Sequence, residues 1–84
     1  APAIAYGLTT RLLPAIRGVV ARSKTIVEIY GVGFSGSNIQ VFSKDGEARV
    51  VYAGANQVNA VVAALDRVAV EVDGYRSDWH EVRP

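Results

Sequence analysis

Alternation of apolar and polar positions at period two recurs along this 84-residue chain and predicts strands from end to end. Ile4, Tyr6, Leu8, Thr10 and Leu12 alternate with Ala5, Gly7, Thr9 and Arg11, a long first strand that Pro2 opens and Pro14 ends. Between Ala15 and Lys24, Gly18 and the pair Val19-Val20 oppose a helix, so a strand is expected over Gly18 to Ala21 with a polar turn from Arg22 to Lys24. The segment that organises the rest is Thr25 to Gly36, TIVEIYGVGFSG. Its strand sends Val27 and Ile29 into a core and turns Ile26, Glu28 and Tyr30 outward. Gly31, Gly33 and Gly36 then let the chain turn or pass close to another backbone, while Phe34 lays its ring over the end of the core.

Further strands follow at short, regular spacing. Asn38 to Ser43 leads into Lys44-Asp45-Gly46-Glu47, where Asp-Gly signals a tight hairpin, and Ala48 to Tyr52 returns. After the loop Ala53 to Gln57 come a strand over Val58 to Ala63 and one in which Val68, Val70 and Val72 alternate with Ala69 and Glu71. Asp73-Gly74 makes a second tight turn, and Tyr75 to Val82 is expected as one continuous final strand. This pattern predicts a single all-β domain over 1–84, an immunoglobulin-like β-sandwich of about seven to eight strands, with a small barrel as the alternative. Residues 1–12 are either the first strand of that sandwich or an N-terminal arm.

From Pro14 to Gly74 the chain resembles the TIG (IPT) family of immunoglobulin-like domains. The resemblance is carried by Gly31, Gly33 and Phe34 at the end of an apolar strand, by the Gln57-Val58 step, and by Val68 and Val70 in the valine-rich strand near the end. It implies an early-set sandwich and brings no catalytic residues. Similar domains occur in plexins, transcription factors, starch-active enzymes and bacterial surface proteins, the last being the type expected here. Two departures stand out: Ala63-Ala64 replaces the family's proline, and the N-terminal strand is longer than such a domain needs.

Composition narrows the chemistry. With no cysteine and one histidine, neither a disulfide framework nor a Cys/His zinc site is available, so burial, strand pairing and subunit contacts must stabilise a small domain. The net charge of +1 divides into +4 over Ala1 to Val27 and −3 over Glu28 to Pro84, a polarity suited to a head-to-tail contact. Four dispersed cations without interleaved aromatics do not make a nucleic-acid surface. No apolar run approaches the roughly 20 residues of a membrane span. The chain holds no methionine and begins Ala-Pro, compatible with residues just after a signal-peptidase site. A secreted protein, extracellular or at the cell surface, is therefore expected, with excision from a longer chain as the alternative.

Several motifs invite a catalytic or cofactor reading. Gly31 to Gly36 spells G-x-G-x-x-G after a predicted strand, but that fingerprint needs a following helix, and a strand is expected instead. Ser77, Asp78 and His80 are neighbours on one predicted strand, whose alternate side chains face opposite ways and share no centre. Asp73, Asp78 and Glu81 lack the spacing of a calcium loop. No enzyme, cofactor or metal is therefore expected. Among the aromatics, Phe34 and Tyr52 suit the core, whereas Tyr30 and Phe42 share outward phases, and Tyr75 and Trp79 share a face of the last strand. Two main functions follow. In the first, a structural subunit assembles with copies of itself through Ile4, Tyr6 and Leu8 of the N-terminal strand, forming an extracellular fibre or surface layer. In the second, Tyr30, Phe42, Tyr75 and Trp79 stack on a polysaccharide. A passive spacer in a larger surface protein is a third.

Overall fold

Val, Ile and Tyr at alternate positions favour pleated, half-buried backbone, and in the computed structural model, which describes residues 13–82, they lie in eight strands. These are β1 (Ala15–Ala21), β2 (Ile26–Val32), β3 (Ile39–Ser43), β4 (Gly46–Ala53), β5 (Gln57–Val61), β6 (Arg67–Val72), β7 (Tyr75–Arg76) and β8 (His80–Glu81), with no helix among the described residues. All pairings are antiparallel, in the order β1-β2-β5-β4-β3-β6-β7, with β8 also on β6. β4 serves two ladders: Gly46 to Ala48 pair with β3, and residues from Arg49 to Ala53 pair with β5. The sheet curls at that strand.

Curling brings the inward side chains of both halves into one core. Val27 and Ile29 of β2, Val41 of β3, Val58 and Ala60 of β5, and Val68, Val70 and Val72 of β6 are all buried there, with Phe34 among them. Each fully buried valine or isoleucine contributes about 1.5–3 kcal/mol relative to exposure, the main stabilising term in a chain without cross-links. Phe34 reaches this position because of its glycine neighbours. A β-carbon on Gly31 would meet the Ala15 carbonyl and the Phe34 ring, and Gly33 takes a φ of 77° beside the Leu13 carbonyl. The expected placing of Phe34 over the core thus holds.

The turn between β6 and β7 has Asp73 at φ 50° and Gly74 at φ 91°, the pair of left-handed residues that matches strand twist in a two-residue hairpin. The Asp73 carboxylate accepts the amide protons of Ser37 (3.0 Å) and Asn38 (2.7 Å), which ties the turn to the start of β3.

Three expectations need correction. The final strand is not continuous: residues 77–79 interrupt it between β7 and β8, because Ser77 turns its hydroxyl inward to β6. Tyr75 and Trp79 consequently do not share a strand face. Tyr52 is 53% exposed and outside the core, because the pairing of β4 with β5 shifts register between Val50 and Tyr52. The early strand is longer than Gly18 to Ala21 and begins at Ala15. The expected strand at Ile4 to Leu12 lies outside the described residues.

Candidate functional site

Sheet edges are where a β protein can accept another chain, because they carry unpaired N–H and C=O groups. Among the described residues, the outer side of β1, the side of Arg49 to Ala53 in β4 that faces away from β5, and the outer sides of β7 and β8 have no neighbouring strand. Each edge is also irregular. β1 shifts register between Ile16 and Gly18, β4 between Val50 and Tyr52, and 77–79 separate β7 from β8. Such breaks shorten the ladder an incoming strand can form, so further affinity must come from side-chain contacts.

Those contacts are available at the start of β1. There the edge opens into a cleft of about 290 Å³, bounded by Leu13 to Ile16 on one side and Arg76 to His80 on the other. Ser77 creates it. The buried Ser77 hydroxyl accepts the Val70 amide proton at 2.9 Å and donates to the Asp78 carbonyl at 3.0 Å, while the Ser77 amide donates to the Val70 carbonyl at 2.8 Å. With Ser77 held against β6, Asp78 and Trp79 are carried outward before His80 rejoins β6 opposite Val68. Trp79 is 44% exposed, with the Arg67 guanidinium 4.9 Å from its ring centroid, and Leu13 across the cleft is 59% exposed. At the rim the exposed Asp78 carboxylate forms no ion pair among the described residues.

The same geometry bears on Ser77, Asp78 and His80 as chemistry. The Ser77 hydroxyl is committed to backbone partners, and Nδ1 of His80 lies 2.9 Å from the Glu81 carbonyl. The glycine-rich turn is likewise engaged: the Gly31 amide donates to the Asn56 carbonyl (3.0 Å) and the Phe34 amide to that of Ala55 (3.4 Å), before the chain enters β3. Among the described residues no three carboxylate or imidazole groups gather as metal ligands, and no helix is long and apolar enough to cross a membrane.

The four aromatics named for polysaccharide do not form one platform. Tyr30 lies on β2, turned away from the core, and its hydroxyl donates to Glu28 at 2.7 Å. Phe42 lies on β3 with the Arg76 guanidinium 4.2 Å from its ring centroid, and Arg76 also pairs with Glu71 at 3.2 Å. Tyr75 is exposed at the β6–β7 hairpin, and Trp79 is in the cleft. Ile4, Tyr6 and Leu8 lie outside the described residues. Missing from the sequence reading were Leu13, Ile16 and Asp78 as cleft residues. Their one sequence signal was Arg76-Ser77-Asp78, three polar residues in succession inside a run read as a single strand.

Charge is also arranged differently from the sum along the chain. Arg22, from the basic N-terminal part, reaches Glu28 at 2.9 Å and neutralises the first acid of the rest. Hydrogen bonds from Arg22 and then from Tyr30 hold the Glu28 carboxyl below the usual carboxylate range. The bond to Glu28 in turn pushes the Tyr30 phenol up.

In comparisons with protein-family models, with characterised proteins and with solved structures, nothing matches this chain.

Proposed function

We propose that this chain is a secreted, non-enzymatic structural subunit that joins copies of itself head to tail, through its N-terminal strand, into an extracellular fibre or surface assembly. One observation carries the reading: the place beside β2 is already taken by β1, so a strand over Ile4 to Leu12 is not needed there. In this reading the N-terminal strand pairs with an edge of a neighbouring subunit, where Ile4, Tyr6 and Leu8 fill pockets and the backbone adds ladder hydrogen bonds. Burying one such side chain as large as Leu8 contributes about 1.5–3 kcal/mol. Repetition of a heterologous contact of this kind builds a filament unless its rotation closes a ring.

The fold proposed with this function is an immunoglobulin-like sandwich of the TIG type. Supporting it, the sequence β1-β2-β5-β4 on one side of the curl and β3-β6-β7 on the other corresponds to the order ABED and CFG of such sandwiches.

Deleting Ala1 to Leu8 tests the function. Size-exclusion chromatography should show assembly lost while the circular dichroism spectrum and cooperative melting of the domain persist. A truncated chain that is an unfolded monomer would instead assign the N-terminal strand to its own core.

A further inference from the structure

We infer that the acceptor for the arm is the cleft between the start of β1 and the β7–β8 interruption, and that its occupant is the N-terminal arm of a second copy, anchored by Arg11 on Asp78. This rests on the self-assembly reading and specifies which edge receives the arm and how it is registered.

The cleft is suited to an alternating segment. Its walls present Leu13, Ile16 and Trp79 to apolar side chains, beside the outer edge of β1, which has no partner strand among the described residues. If the arm enters as a strand, alternation puts Ile4, Tyr6 and Leu8 on one face and Arg11 on the other. A strand that sends the apolar face into the cleft therefore turns Arg11 toward the rim, where Asp78 is exposed and without an ion pair among the described residues. Arg11 is the only charged side chain in residues 1–12, so the arm carries one cation to meet this anion.

Binding within the same chain is disfavoured by the way the arm is attached. Leu13 precedes a proline, which restricts it to extended backbone. Thr9-Thr10-Arg11-Leu12 contains none of the Gly, Pro, Asn or Asp residues that would reverse the chain back into its own cleft. A second copy has no such constraint.

The test is a charge exchange in the full chain. The association midpoint is measured by sedimentation for the unaltered chain, Arg11→Asp, Asp78→Arg and the double variant, with Trp79 emission as a reporter inside the cleft. Each single reversal should raise the midpoint about tenfold, and the double variant should restore most of it, as coupled charges do. Trp79 emission should shift to shorter wavelength as the unaltered chain assembles, because the arm removes water from the ring. If the chain assembles but the double variant is as weak as the singles and Trp79 emission is unchanged, the acceptor lies elsewhere and this inference fails alone. A chain that stays monomeric at every concentration removes both this inference and the assembly reading. Circular dichroism on each variant separates weakened association from loss of fold.

Discussion

Glu28 shows how one side chain couples the charge pattern to stability. Sequence alternation turned it outward, yet its side chain is only 15% exposed, because Arg22 and Tyr30 converge on it. Its folded pKa lies below its unfolded value, because Arg22 and Tyr30 hydrogen-bond the charged form. The unfolded state therefore takes up a proton first as pH falls. The contribution of Glu28 is complete above that unfolded value and is lost as pH drops through the folded one. Glu28→Gln should lower the melting temperature at neutral pH and shrink its fall in acid, while Tyr30→Phe, which removes one of the two hydrogen bonds, should give an intermediate profile. Thermal melts followed from neutral to strongly acidic pH check both. That Glu28 faces outward was legible from Val27 and Ile29 on either side. Its partner Arg22 was not, because it reaches Glu28 across the hairpin joining β1 and β2.

At the scale of elements, the turns were the most readable feature and the last strand the least. Asp73-Gly74 makes the expected tight turn, but the sequence alone does not say that Asp73 also holds Ser37 and Asn38, which lie 36 and 35 residues away. Asp73→Ala removes the acceptor for two backbone amides and places alanine at a φ of 50°. It should cost about 2–3 kcal/mol in urea unfolding. Asp73→Asn keeps an oxygen acceptor and tolerates the left-handed backbone, so it should cost about 1 kcal/mol or less. The split of Tyr75 to Val82 into β7 and β8 was hidden for a different reason. Ser77 is compatible with either a strand or a break, and the Val70 amide across the ladder decides between them.

For the whole molecule, β4 is the strand that makes two ladders into one unit, since it pairs with β3 at one end and β5 at the other. With inward side chains of both halves in a single core, neither half retains its packing when the other opens. Unfolding should therefore be one transition, with melts followed by far-ultraviolet circular dichroism and by Trp79 fluorescence coinciding. Non-coincident melts would mean that the β6–β8 region around Trp79 opens independently of the rest.

The sequence by itself determined the all-β class, most strand positions, the inward residues of β2 and β6, and Phe34 as a core ring. These follow from period-two burial and from local turn chemistry, both of which act between neighbours in the chain. Tertiary structure alone decided that β1 fills the place beside β2, that Tyr52 faces solvent at a register shift, and that Ser77 opens a cleft between Leu13 and Trp79. Each of these depends on which distant backbone group meets a given residue, and periodicity along one strand carries no information about the strand opposite.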